Sequence, residues 1–225
     1  MWFNTISEFL SWAGIIVVAA ASLQTIAYMF AHQIALRVFL LAGTSLYLIY
    51  YFVAADDPLW PAIFGTGCIR VTSVYGLLRA IAYRSTLTIS KLHFPIFEKM
   101  NGMEPGAFRK LMKTAEIVTF EDQTPLTQIG VIPDHVYFII DGELDVNKSN
   151  IDFTMEPNSF VGEISIIGEF AATATVFSRA GSKAVVWNRY RLIEIMDKDD
   201  RFRISVEALF SKDMARKLAQ AAKVQ

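Results

Sequence analysis

The sequence predicts an α+β membrane protein in which three transmembrane helices lead through a helical linker to a β sandwich or barrel flanked by helices. Three observations predict it. Long apolar runs follow one another within residues 1–85, short β-rich runs recur after Ile117, and the chain closes on an amphipathic helical pattern. At 225 residues there is room for one or two compact units. The expected organisation is a three-helix region over 1–85 with its N-terminus outside, a linker over 86–115, the β domain over 116–203 and a C-terminal amphipathic helix over 204–225.

The formal net charge of −1 hides an uneven layout. Residues 1–90 hold four basic side chains (Arg37, Arg70, Arg79, Arg84) and three acids (Glu8, Asp56, Asp57), against 17 basic and 19 acidic in the remainder. Charge is scarce where hydrocarbon would penalise it and ordinary elsewhere. Neither half is basic enough to expect nucleic acid as a partner. The single Cys68 excludes an intramolecular disulfide and a cysteine-based zinc site.

Ala13 to Phe30 is nearly continuous apolar sequence, close to the roughly 20 residues needed to cross a hydrocarbon core of about 30 Å. A second run, Ile34 to Ala55, carries Arg37 near its start, and a third, Pro58 to Leu78, carries Arg70 internally. Ala19-Ala20-Ala21 resembles a signal-peptide cleavage site, but the first run lacks a positive leading segment and is too long for that reading. Orientation follows from the positive charges. The N-terminal tail has Glu8 and no Lys or Arg, the first connection carries His32 and Arg37, the second Asp56-Asp57-Pro58, and the third helix exits into Arg79, Arg84 and Lys91. This expects an outside N-terminus and a cytoplasmic C-terminal half, in a plasma membrane or bacterial inner membrane. Trp2, Trp12, Trp60 and Tyr50-Tyr51 lie near the ends of the runs, as interfacial aromatics do. Arg70 has two readings: a polar contact within the bundle or with a partner's helices (Gln24 being one candidate), or a helix shifted so that its charge snorkels.

Residues 80–115 read as helical, with Phe94, Phe97, Met100, Phe108, Leu111 and Met112 at helical spacing and Asn101-Gly102 and Pro105-Gly106 as punctuation. Strands are expected at Ile117–Phe120, Val136–Ile140, Leu144–Val146, Ile151–Met155, Thr173–Phe177 and Lys183–Trp187, with Asp141-Gly142 as a tight turn. In the last segment Val206, Leu209, Phe210, Met214 and Leu218 form one apolar stripe, with Lys212, Arg216 and Lys217 off it. Such a helix packs on its own barrel, on a second copy, or over a ligand as a lid.

One constellation carries function. Phe160-Val161-Gly162-Glu163-Ile164-Ser165 is followed, nine residues past Glu163, by Ala172-Thr173-Ala174-Thr175-Val176, and Gly142-Glu143-Leu144 stands upstream. Gly162 permits a turn and close approach of backbone. The N–H groups of Ile164 and Ser165 open a short helix and can face a phosphate. Glu163 can accept from a ribose hydroxyl, and Thr173 and Thr175 offer hydroxyls along the facing strand. This arrangement resembles the phosphate-binding cassette of the cyclic-nucleotide-binding domain family, which reads Phe-Gly-Glu, a short helix, then Arg-Ala-Ala-Thr-Val. The resemblance implies a jelly roll and a cyclic-nucleotide site at Gly162, Glu163, Ile164, Ser165, Ala172, Thr173 and Thr175. It departs at Ala172, where the family has the arginine that pairs with the cyclic phosphate. Arg179 could replace that arginine only if the following turn folds it back.

With the membrane helices, the whole resembles the Popeye-domain family, whose members are regarded as membrane-bound cyclic AMP effectors. Lys183-Ala184-Val185-Val186-Trp187, Leu192 and Asp213-Met214-Ala215-Arg216-Lys217-Leu218 resemble that family's run into its final helix. Its animal members have Asp-Ser-Pro-Glu in the cassette and Phe-Gln-Val-Thr on the facing strand. This chain keeps Gly-Glu, as a divergent relative of bacterial type would.

No nucleophile motif, phosphate loop or metal-ligand cluster stands out, and His32, His93 and His135 are far apart, so neither an enzyme nor a cofactor is expected. The resemblance implies a membrane-anchored effector for cyclic AMP that passes ligand occupancy to its bundle or to a partner. The alternative is a non-binding dimeric scaffold, associating through the C-terminal helix or the bundle. A channel is disfavoured, since three spans come without a selectivity-filter loop.

Overall fold

The computed structural model describes residues 11–53, 57–100, 102–148 and 151–221. Expectations that fall on Trp2, Glu8, Ala55, Asp56, Asn101 and residues 222–225 lie outside these. The chain divides into two compact units, Met1–Arg84 and Ser85–Gln225.

Among the described residues the first unit holds three helices, α1 (Trp12–Met29), α2 (Gln33–Val53) and α3 (Trp60–Arg84). Ser11 starts α1 by accepting from the Gly14 amide at 3.1 Å, which satisfies one orphan donor of the first turn. Small residues let α1 and α2 approach closely. A Cβ on Gly43 would stand 2.8 Å from Gln24 Cγ and 3.0 Å from the Ala20 carbonyl. Side-chain hydroxyls are satisfied within their own helices, Thr25 on Ala21, Thr44 on Leu40 and Thr72 on Ile69. Such back-bonding leaves little polar surface outward.

Helices α1 and α2 are long and apolar enough to cross a membrane, by length and composition. The third expected span is helical over 25 residues, but it does not meet the same test. Arg70, Arg79 and Arg84, with three glycines and several hydroxyls, make it more polar. Composition therefore supports two spans where three were expected. Arg70 donates from Nη1 to Ser45 Oγ at 2.7 Å, whereas Gln24, the expected candidate partner, lies against Gly43.

The second unit begins with a 3₁₀ turn (Thr86–Thr88) and two short helices, α4 (Phe94–Lys99) and α5 (Pro105–Met112). Proline sits in the first turn of each, where its missing N–H costs nothing. Among the described residues eight strands follow: β1 (Ala115–Thr119), β2 (Thr124–Thr127), β3 (His135–Asp141), β4 (Leu144–Lys148), β5 (Ile151–Met155), β6 (Phe160–Val161), β7 (Thr175–Ser178) and β8 (Lys183–Asn188). They form two four-stranded sheets, ordered β1-β8-β3-β6 and β2-β7-β4-β5, with every pair antiparallel. A short helix α6 (Ile164–Gly168) links β6 towards β7, and α7 (Arg189–Asp197) and α8 (Asp200–Ala221) close the chain.

Alternation along the strands gives two cores. Phe120, Leu126, Ile139, Leu144, Val146, Val161, Val176 and Ala184 fill the space between the sheets. Phe138, Phe160, Val185 and Trp187 join Phe108, Leu111, Phe202, Val206 and Phe210 in a second cluster between the first sheet and the helices. Trp187 is buried there with its indole N–H on the Leu111 carbonyl at 3.0 Å. The first sheet is covered on both faces, so β3 and β8 read as continuous apolar runs.

Strand β7 and the last helix differ from expectation. Strand β7 starts at Thr175, not Thr173. The expected apolar stripe of the last helix turns away at its end: Leu218 is 70% exposed, while Phe202, Val206, Leu209, Phe210 and Asp213 are buried. The inward line thus passes from apolar to charged side chains as α8 leaves the sheet face and meets β6.

Candidate functional site

The segment that carried the functional expectation forms β6, α6 and the start of β7, and the residues around it decide its chemistry. Strand β6 is an edge of its sheet, so its outer amides and carbonyls need partners. Helix α8 supplies them. Asp213 Oδ2 accepts from the Phe160 amide at 3.1 Å, and Lys217 Nζ donates to the Phe160 carbonyl. One carboxylate and one ammonium, four residues apart, stand in for a neighbouring strand. Arg216 adds contacts to Asp213, the Asn158 carbonyl and Ser159 Oγ.

Glu163 belongs to the same cluster. Its side chain is nearly inaccessible, and Oε1 lies 2.7 Å from Lys217 Nζ, which also sits 2.8 Å from Asp213 Oδ2. The acid expected to face a ribose is therefore paired with the protein's own lysine. It makes no side-chain cap on α6 among the described residues.

Gly162 takes φ +85°, and a Cβ there would stand 2.8 Å from the His135 carbonyl. The close approach expected at this glycine is thus to the chain's own β3 as well as a requirement of the turn. Ser165 is buried, and its N–H and hydroxyl both go to the Gly162 carbonyl, at 3.2 and 2.6 Å. The Ser165 amide, expected to face a phosphate, is used in closing this turn. Ile164 opens α6 beside it. The Ser165 carbonyl accepts from Nε and Nη2 of the buried Arg189, each at 3.2 Å, which fastens α6 to the start of α7.

On the returning limb, Ala172 pairs with the turn after β2. Its amide donates to the Val131 carbonyl, and its carbonyl accepts from the Gly130 amide, both at 2.9 Å. Thr173 is exposed. Thr175 accepts from the Ile129 amide at 3.1 Å. Arg179 does not replace the missing arginine. Its guanidinium is held by Asp145, Glu143 and Thr154, which raises its own pKa and holds the Asp145 carboxyl below the usual carboxylate range.

Three groups were not anticipated as parts of this cluster: Lys217, Asp213 and Arg189. Asp213 and Lys217 share a helix face by their spacing of four, a signal masked by reading that helix only for its apolar stripe. Tyr137, opposite Val161 in the β3–β6 pairing, packs against the inter-sheet core. Burial, and then the nearby Asp134 charge, push its phenol above its ordinary value. A concavity of about 600 Å³ lies elsewhere, on the outward face of β4, β5 and β7 around Asp145, Asn147, Thr154 and Phe177. Of the expected site residues, Thr175 lines it.

Residues 117–199 match the family model of the cyclic nucleotide-binding domain. The chain is similar to a cyclic nucleotide-binding domain from Methylobacillus flagellatus KT (TM-score 0.52, 16% identity, over 59% of this chain and 82% of that one). It is also similar to a putative cyclic nucleotide-binding protein from Geobacter metallireducens GS-15 (TM-score 0.50, 14% identity, over 58% and 99%). Comparison with curated proteins returns no match. The second unit therefore carries a cyclic nucleotide-binding domain fold, with helices before and after the jelly roll.

Proposed function

We propose that the chain is a membrane-anchored regulatory protein whose second unit binds a cyclic nucleotide, cyclic AMP in the first instance, at the 160–176 segment. In this reading α8 is the responding element. The observation that supports it best is the Glu163–Lys217 pair. A ribose hydroxyl that takes up Glu163 competes with Lys217, and Lys217 also holds the edge of β6. Binding and release of α8 are then linked, because the ligand has different affinity for the latched and unlatched states. The domain organisation, the Popeye-type assembly and a third span at α3 belong to the same proposal. The outward apolar side chains of all three helices support a bilayer around them, Val18, Ile49, Val71 and Leu78 among them.

Affinity is set by what is missing. A charge-assisted hydrogen bond contributes about 1.5–3 kcal/mol, so alanine at position 172 lowers affinity by roughly one to two decades. Calorimetry of the full chain in neutral detergent with cyclic AMP and cyclic GMP tests the proposal. Wild type is expected to bind weakly, Lys217→Met more tightly because the competing cation is gone, and Glu163→Gln not at all. Silence from both wild type and Lys217→Met at millimolar nucleotide overturns it. The same result supports the second reading, a dimeric scaffold with an inert barrel. Ala172, the engaged Arg179 and the exposed Leu218 on α8 favour that reading.

A further inference from the structure

We propose that the first unit binds the phosphate of an anionic phospholipid at one end of its bundle, where the start of α2 meets the end of α3, with Arg37 as the principal contact. The inference rests on the membrane-spanning reading above. Arg37 stands one turn into α2, roughly 6 Å along the axis from Gln33. Its guanidinium lies over Gly76 of α3: a Cβ there would fall 1.7 Å from Nη1 and 2.3 Å from Cζ. The glycine makes the notch that the guanidinium occupies. Arg37 Nε is buried and has no hydrogen-bond partner among the described residues.

Among the described residues the surroundings offer that cation no counter-charge. In the described part of the first unit the sole acid is Asp57, which precedes α3 and so lies at the opposite end of the helices. The nearby charges are of the same sign. Arg79 follows Gly76 by three residues and shares its face, and Arg84 ends the helix with Nη1 2.5 Å from His32 Nε2. A guanidinium held between helices without an acceptor is unfavourable unless an anion completes it. A phosphodiester matches its planar fork of donors. From one turn inside a helix end a long side chain can snorkel to the headgroup phosphates, which favours lipid over an acid on a partner's helix at mid-membrane.

The test uses the full chain in neutral detergent, with phosphatidylglycerol, phosphatidylcholine and inorganic phosphate as probes, read by native mass spectrometry and thermal unfolding. Wild type is expected to retain phosphatidylglycerol over phosphatidylcholine and to melt higher with it. Arg37→Gln is expected to lower retention about tenfold or more, the loss of one charge-assisted bond. Gly76→Leu, which fills the notch, should do the same, while Arg70→Gln keeps the preference. Equal retention of both lipids, or full retention by Arg37→Gln, overturns the proposal. Equal protection by inorganic phosphate overturns the lipid as source. A change of oligomeric state in Arg37→Gln without lipid preference assigns the arginine to a partner helix and also overturns it. Carbonate extraction of membranes separates the two readings. Release of wild type into the supernatant sinks the membrane reading itself, whereas retention in the pellet without lipid preference sinks this site alone.

Discussion

Gly162 is required for the fold before it is required for any ligand. Its φ of +85° is closed to side chains without strain, and the atom a Cβ would strike is a backbone carbonyl, that of His135. Backbone in β3 cannot swing aside as a flexible side chain can. Gly162→Ala should therefore destabilise the second unit by about 1–3 kcal/mol, read as a lower denaturation midpoint with an unchanged slope. A loss of nucleotide binding without loss of stability would instead mean that the glycine serves the ligand alone. The residue types of this segment were legible in the sequence, because Gly-Glu at the right distance from Ala-Thr-Val is a local pattern. What Glu163 touches was not. Lys217 lies 54 residues away, and no periodicity links the two positions. The positional expectation for Arg179 stayed open for the same reason, since Glu143 and Asp145 reach it only across the sheet.

At the scale of elements, strands were legible where the apolar pattern of the sequence ran in one register, even in β5, whose side chains are largely exposed. β3, β5 and β8 lie where alternating or continuous apolar runs expected them. β2 and β6 were missed for physical reasons. β2 contains Pro125 and stands at a sheet edge, where a missing N–H does no harm. β6 is two residues long and completed by side chains of α8. Helix α8 begins at Asp200 rather than the expected position 204, because Asp199 caps it, accepting from the Phe202 amide at 3.1 Å. Lys110 on α5 hydrogen-bonds the same carboxylate at 2.6 Å. First Lys110 and then the Phe202 amide hold the Asp199 carboxyl below the usual aspartate range. A carboxyl whose folded value is depressed stabilises the fold above the ordinary value of about 3.9 and loses that contribution as pH falls through the folded value. Asp199→Ala should cost about 1 kcal/mol near neutral pH through the lost cap. Asp199→Asn should keep most of the cap and flatten the acid limb of the unfolding curve. An acid limb identical to wild type in Asp199→Asn would exclude this group as its source.

At the scale of the whole molecule, the charges of the first unit give the chain a direction. Arg37 contacts Gly76, so the start of α2 and the end of α3 share one end of the bundle, and His32 joins Arg84 there. The α2–α3 connection at the other end carries Asp57 and neither Lys nor Arg. Basic residues are retained on the cytoplasmic side of short connections. If α3 crosses with its neighbours, the Arg84 end faces the cytoplasm and everything after Ser85 follows it. The polarity of α3 makes this the span most worth testing. In a Cys68→Ser background, a cysteine placed at Leu59 is expected to react with an impermeant maleimide added to intact cells. One placed at Lys212 should react only after permeabilisation. Reaction at Lys212 alone would reverse the orientation, reaction of both would leave α3 on the outer face with two spans, and reaction of neither would leave α3 on the cytoplasmic face with two spans. That last outcome would put the N-terminus inside, since two crossings return the chain to its starting side.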